Sequence, residues 1–283
     1  MIVDELKLTR SYAFCRVWGS TEEHVLHVHD CLEIGVLLKH QLEYRFGDRT
    51  YKGKPGDVFL CRPFEPHWSF AEPDQPPYES ILVLFMPSAL RGMPDWNRLL
   101  LPFYTSEEVP PYIPGDSPYA QAICKAAEEA ALAQEQQSSN WMTRQYMHLI
   151  DILLQVSDFA ASCYAPSSLD KRPPAIRTDI MDAIGYLLQH YTEPVDGAVL
   201  LDRSHSGKTK FFHEFRTLTG VSPNEFLNRL RVQHAMDLLR STSRSIIDIA
   251  ESSGFGSLSA FNKQFKQYAE ASPREYRARM TSD

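Results

Sequence analysis

The last third of the chain contains a 50-residue repeat, and this feature limits the available folds more than any other. Phe211-x3-Phe215 and Phe261-x3-Phe265 lie 50 residues apart, as do Ser222-Pro223-Asn224-Glu225 and Ser272-Pro273-Arg274-Glu275. Each Ser-Pro-x-Glu reads as a helix start. Serine caps the first free N–H groups, proline suits the first turn, and glutamate completes a capping box. In the second copy, IIDIAESSGFGSLSAFNKQFK places Ile246, Ile249 and Ala250 on the apolar face of a short helix. Gly254 then makes a tight turn, Phe255 fills the corner and Ser257 opens the next helix. Two short helices that cross at small residues and join through a glycine turn form a helix-turn-helix, whose second helix enters a major groove.

The first copy departs from this pattern. By the 50-residue offset, Leu200 stands where Ala250 stands, Ser204 at Gly254, His205 at Phe255 and Gly207 at Ser257. A leucine at the close crossing and no glycine at the turn imply altered geometry, and contacts mainly to phosphate. If Phe261 and Phe265 face the core, the opposite face of the second recognition helix carries Leu258, Ser259, Asn262, Lys263 and Lys266. The matching face in the first copy carries Lys208, Thr209, Phe212 and His213. Asparagine can pair with adenine, lysine can reach guanine or phosphate, and Phe212 can touch a thymine methyl. A solvated helix face is the alternative for each. Arg274, Arg277 and Arg279 are phosphate candidates, and Arg229 and Arg231 can bind phosphate or support structure.

The pattern I-A-x3-G-F-x-S-x-S-x-F-x3-F-K followed by S-P-x-E-Y-R strongly resembles the AraC/XylS family of transcription regulators. The resemblance covers roughly residues 176–280 and closes on Ser272-Pro273-Arg274-Glu275-Tyr276-Arg277. It implies seven helices, with two helix-turn-helix units joined by a long central helix at about 222–240. Both recognition helices would enter adjacent major grooves of operator DNA. It also implies an N-terminal cupin-like effector domain with a helical dimerisation element, hence a homodimer that acts on RNA polymerase. The implied function is sequence-specific regulation, with activation as the expected sign. The effector would be a small molecule, expected to be a carbohydrate or related catabolite, because the N-terminal lengths and turns look closest to sugar-sensing members.

Charge supports a division of the chain. Residues 171–283 carry 16 Lys+Arg against 13 Asp+Glu, a net of +3, while the first 170 carry a net of −10. The stretch APSSLDKRPPA reads as a linker, because proline lacks an N–H and fixes φ. Before it, HVLHVH, LEIGVLLK, LEYRF, DVFLC and SILVLF read as strands, with turns at Gly47-Asp48 and Pro55-Gly56-Asp57. Residues 120–136 and 142–161 read as helices, with an N-cap at Ser138-Ser139-Asn140. The expected class is α+β and multidomain: a cupin-like β-barrel at 1–116, a helical hairpin at 117–163, a linker at 164–175 and an all-α domain of two helix-turn-helix units at 176–283.

His27 and His29 alternate on one strand and so share a face. With Glu33 and His67 they form H-x-H-x3-E, then P-G-D, then P-x2-P-H, which resembles the cupin fold. In metal-binding cupins the matching residues ligate a divalent metal, and their donor set suits Fe, Mn, Zn or Ni. Two other readings stay open: surface histidines, or a metal-free pocket that hydrogen-bonds an organic ligand and needs no cofactor. Arg16, Trp18, Arg62 and Trp68 lie on or beside the strands and could supply an aromatic face and an arginine fork for the effector.

Five cysteines without C-x-x-C spacing read as reduced thiols. No apolar stretch is long enough for a bilayer and the first residues lack a signal-peptide core, so the expected location is cytoplasmic, with no membrane partner. The expected activity is not enzymatic. The alternatives are a metal cupin enzyme fused to a DNA-binding module, and a regulator whose barrel recognises a protein.

Overall fold

A computed structural model describes residues 2–3, 11–19, 27–29, 31–71, 76–105, 109–164, 175–202, 204 and 207–281. The chain divides into two compact units. One comprises Met1–Phe85 with Pro110–Ala161, the other Met86–Val109 with Ser162–Asp283.

The first unit contains two sheets. One holds β1 (Ile2–Val3), β3 (His27–Val28), β8 (His67–Phe70), β5 (Leu42–Phe46) and β6 (Arg49–Gly53), in that order. The other holds β10 (Tyr112–Ile113), β7 (Val58–Cys61), β4 (Leu32–Lys39), β9 (Tyr78–Phe85) and β2 (Tyr12–Gly19). Directly paired residues share a face, so register assigns each side chain to a layer. Cys15 pairs with Leu82, Gly35 with Phe59 and Leu82, and Glu33 with Cys61 and Leu84. This face packs on Leu42, Tyr44 and Phe46 of β5 in an aromatic core between the sheets. Gly35 has a specific reason to be glycine: a Cβ there would lie 2.7 Å from the Tyr44 hydroxyl.

The other face of the second sheet carries Phe14, Leu32, Ile34, Val36, Ile81 and Val83, all buried. It is covered by α2 (Pro118–Glu135), capped by the Ser117 hydroxyl. α2 turns Ala120, Ala126, Ala127, Ala130 and Ala131 inward, and their small side chains let a helix lie close to a sheet. α3 (Trp141–Tyr164) packs through Leu149, Ile152, Leu153, Val156 and Phe159. The buried Gln145 amide donates to Ala130 O and to Gln134 Oε1 and so ties α3 to α2. Asn140, read as an N-cap, sits just before α3 with φ +58°. Asp57, in the turn read from sequence, is fully buried and accepts from Lys54 N, Gly115 N and the Tyr112 hydroxyl.

The second unit contains, among the described residues, seven helices at its C-terminal end: α4 (Ala175–His190), α5 (Gly197–Asp202), α6 (Lys208–Thr219), α7 (Pro223–Ser241), α8 (Ile246–Ser252), α9 (Leu258–Ala269) and α10 (Pro273–Thr281). Of the expected linker, 164–175, Tyr164 ends α3 and Ala175 opens α4, and residues 165–174 lie outside the described residues.

The second unit also holds a strap absent from the sequence reading, which ran the barrel continuously through residue 116. The chain leaves β9 at Phe85, forms a 3-10 turn at Pro87–Leu90 and α1 (Trp96–Tyr104), and re-enters the sheet at β10. Leu90, Leu99, Leu100 and Phe103 are buried. Ser88 Oγ donates to Asp237 Oδ2, Asn97 to Gly185 O and the Tyr104 hydroxyl to Gln233 Oε1. The Tyr104 ring meets Phe226 edge-on at 5.2 Å, and the Arg91 guanidinium sits 4.8 Å from the Tyr191 ring centroid. Residues 86–109 therefore belong with α4 and α7, because their apolar side chains are buried there.

Candidate functional site

Two sites emerge, one in each unit. In the first unit, β4 brings Glu33 and β8 brings His67 to the inner face, and His29 precedes β4. One ligand atom from each of these three buried residues lies within 4.8 Å of the others. The His29 Nδ1–H donates to Cys31 O at 2.9 Å, and the His67 Nδ1–H donates to Glu65 O at 2.8 Å. These bonds fix both rings, so each presents Nε2 to the cluster. His29 Nε2 lies 3.1 Å from Glu33 Oε2, and the two rings meet edge-on at 4.7 Å.

Burial opposes a charge on His29, but Cys31 and Glu33 against it outweigh that cost and its pKa lies well above 6.5. The Cys61 thiol donates to Glu33 Oε1 at 3.6 Å, and burial, with Glu33 adding to it, pushes that thiol well up. Burial and Glu33 also push up the Tyr44 hydroxyl. Glu33 is thus a carboxylate held between an imidazole and a thiol. The geometry suits either a cation held by two imidazoles and a carboxylate, or the hydroxyls of an organic ligand.

Not every residue expected at this site is found there. The backbone of His27 pairs with that of His67, and its side chain lies outside the described residues. Arg16 and Trp18 share the face of Phe14, opposite Cys15 and Val17, so they point away from Glu33. The Arg16 guanidinium is neutralised by Glu79 at 2.6 Å and Glu135 at 2.9 Å, and Trp18 is 64% exposed. Trp68 pairs with the exposed Arg45, whose guanidinium lies 5.8 Å from its ring, on the outer face of β8. Arg62 donates to Glu65, the residue whose carbonyl orients His67. Sequence reasoning missed Cys61 and Tyr44. The pairing of Glu33 with Cys61 is the signal that finds the thiol; Tyr44 stands on the facing sheet, where it pairs with Tyr51 and Ser69.

In the second unit, α8 and α9 form the helix-turn-helix read from the repeat. Gly254 has φ +85°, and a Cβ there would lie 2.7 Å from Tyr191 O and 2.9 Å from the Thr192 carbonyl. Both atoms are backbone and cannot move aside cheaply. Phe255 is buried against Phe261 at 5.2 Å. The Ser257 hydroxyl caps α9, and Ser272 with Glu275 forms a full capping box on α10. The Ser272 backbone N–H holds the Glu275 carboxyl below its ordinary value. In the first unit of the pair, α5 and α6, Leu200 is buried at the crossing and Ser204 bonds Asp179. Gly207 gives α6 no side-chain cap. His205 lies outside the described residues.

Phe261, Phe265 and Ala269 form the buried face of α9, and Leu258, Ser259, Asn262, Lys263 and Lys266 are exposed. On α6, Phe211 and Phe215 are buried, Lys208, Thr209 and His213 are exposed, and Phe212 is half-buried. A groove of about 680 Å³ flanks α9, lined by Ser245, Ile246 and Ile247 on one side and Ser272, Pro273 and Arg274 on the other. Of the arginines expected at phosphate, three have structural bonds. Arg231 donates to Tyr191 O at 2.7 Å and Glu193 O at 2.8 Å, Arg229 pairs with Glu225, and Arg277 donates to Arg244 O. Arg274 and Arg279 are exposed.

Residues 200–279 match a family model described as a helix-turn-helix domain, and residues 12–148 match one described as an AraC-like ligand binding domain. The chain belongs to the AraC/XylS family of transcription regulators. It is an effector-controlled, DNA-binding regulator, as that family is. Among curated relatives, the HTH-type transcriptional activator RhaR of Klebsiella pneumoniae subsp. pneumoniae is 25% identical over 258 residues, covering 89% of this chain and 87% of that one. RhaS of Pectobacterium carotovorum subsp. carotovorum is 23% identical over 257 residues, covering 89% and 86%. A solved structure of ToxT from Vibrio cholerae O395 shares the fold, with a TM-score of 0.51 at 15% identity over 96% of this chain and 100% of that one. No helix among the described residues is long and apolar enough to cross a membrane.

The AraC/XylS turn generates a direct prediction. Gly254→Ala adds a left-handed L-residue and a clash with backbone, and is expected to cost about 2–4 kcal/mol. A fall of that size in the urea unfolding free energy, together with weaker DNA binding, is the expected result. An unchanged midpoint would contradict the close approach.

Proposed function

We propose that this regulator is a cytoplasmic, non-enzymatic homodimer that activates transcription by recruiting RNA polymerase when a small molecule occupies its barrel. The observation that carries the reading is the recognition helix α9: two phenylalanines anchor it, and a polar, cationic stripe stays open to solvent. Asn262 and Lys263 read base edges, and Lys266 and Arg274 bind phosphate. On α6, Lys208, Thr209, Phe212 and His213 make the second, less specific contact. Gly207 supports that ranking, because α6 starts without the hydroxyl cap that fixes α9. Replacing Asn262 and Lys263 together by alanine is expected to weaken binding to a selected operator by about 10- to 100-fold. Lys266→Ala with Arg274→Ala, at the phosphate contacts, should instead reduce the slope of log affinity against log salt by about two. Unchanged affinity in a gel-shift titration would remove the assignment.

The effector is a carbohydrate or related catabolite seated at His29, Glu33 and His67. Glu33 and the imidazoles can share hydrogen bonds with vicinal hydroxyls. A second reading rests on the ring orientations. With both Nδ1 atoms tied to backbone carbonyls, His29, His67 and Glu33 can hold a divalent metal. The metal would supply a Lewis-acid anchor for an effector oxygen. A thermal-shift panel separates the two. A saturating sugar at about 100 times its Kd adds about 2.7 kcal/mol, or roughly 5–10 °C, and Glu33→Gln should abolish the shift. A shift with Zn2+ alone, reversed by chelator, favours the metal. No shift with any sugar, sugar acid or metal overturns both.

The dimer face is α3. Met147 and Leu154 are exposed, at 66% and 46%, and Ile150 is half-buried between them. They follow a three-four spacing that Ser157 and Ala161 continue, the seam of a helix pair. Met147→Glu with Leu154→Glu is expected to give monomers in sedimentation velocity and weaker operator binding. A dimer that persists would move the interface elsewhere.

A further inference from the structure

The face of α9 contains one residue that neither hydrogen bonding nor charge explains. Leu258 opens the helix and is 40% exposed. It takes no part in the buried face of Phe261, Phe265 and Ala269. Ile247, at 55% exposed, lines the same groove from α8. With Ile246 and Pro273 they form an apolar strip beside Asn262 and Lys266. The strip adjoins the DNA-reading face, and Lys266 and Arg274 give its rim positive charge, so the partner it fits is a DNA strand.

A helix-turn-helix presents the N-terminal residues of its second helix to base edges in the major groove. Leu258 is at that end and has no donor or acceptor. Opposite adenine, guanine or cytosine it would strip water from a polar edge and replace nothing. Thymine is the one base whose major-groove edge carries a methyl group. We propose that Leu258 is a specificity-determining residue that selects thymine by packing on its C5 methyl, with Ile247 against the neighbouring deoxyribose. Asn262 lies one turn further along the same stripe, about 6 Å up the helix axis, close to the span of two base-pair steps. The second unit's half-site therefore places a thymine about two base pairs from the adenine read by Asn262.

The inference rests on the α9 face proposed above, and the test separates the two. The full-length protein selects its sites from a random duplex pool, and each thymine of the selected site is then replaced singly by deoxyuridine. At one position the loss of a methyl is expected to weaken binding about 3- to 5-fold. At that position 5-methylcytosine paired with guanine should bind about 3- to 5-fold tighter than cytosine paired with guanine. Leu258→Gln, an exposed substitution that the fold tolerates, should erase both differences there and leave other positions unchanged.

The inference is overturned if deoxyuridine is tolerated at every position, or if its penalty is the same in Leu258→Gln. Loss of promoter activation in that variant at unchanged operator affinity would also overturn it, by assigning the groove to a protein partner. If Asn262→Ala with Lys263→Ala has no effect, the α9 face itself is wrong; if that variant binds weakly while deoxyuridine is neutral, only thymine selection fails.

Discussion

The DNA-binding unit depends on one backbone carbonyl. Tyr191 follows the last residue of α4, and its carbonyl accepts the Arg231 guanidinium from the middle of α7 and lies 2.7 Å from where a Cβ on Gly254 would sit, in the turn between α8 and α9. Three elements far apart in sequence meet at this atom. Arg231 brings a charge-assisted bond, roughly twice as strong as a neutral one, into a half-buried site. Gly254 contributes by having no side chain. The position of α9 relative to α7 is set here, and with it the direction in which Asn262 and Lys263 point.

The barrel site follows a different logic. Its buried polar groups are oriented from behind by backbone carbonyls, which leaves their functional nitrogens directed inward. Such preorganisation lowers the cost of ordering side chains when a ligand arrives. Glu33 is the centre of the cluster, because one of its oxygens lies 3.1 Å from His29 Nε2 and the other accepts from the Cys61 thiol.

Much of this was legible in the sequence, for identifiable reasons. The α8–α9 turn was readable because a left-handed turn pressed against backbone admits glycine alone. The convergence of Glu33 and His67 followed from a motif with fixed spacing. Arg16, Trp18 and Trp68 were placed in the pocket by proximity along the chain, yet strand parity turns them outward. Parity becomes usable only when a neighbour of known facing, such as Phe14 or Arg45, is available. The strap was illegible because Pro94 and Pro102 flank Leu99 and Leu100, Pro102 directly precedes Phe103, and both prolines read as helix breakers. Its partners, moreover, lie more than 80 residues further along.

The strap changes what counts as a separable module. A fragment that starts at α4 carries every helix of the DNA-binding fold but leaves behind Leu100, Phe103 and Tyr104. Phe226 and Gln233 would then meet water in place of those side chains. The genetic boundary of the domain and its physical boundary do not coincide. A graft of this helix-turn-helix pair onto another sensor barrel needs residues 86–109 as well, supplied from within the donor's sensor sequence.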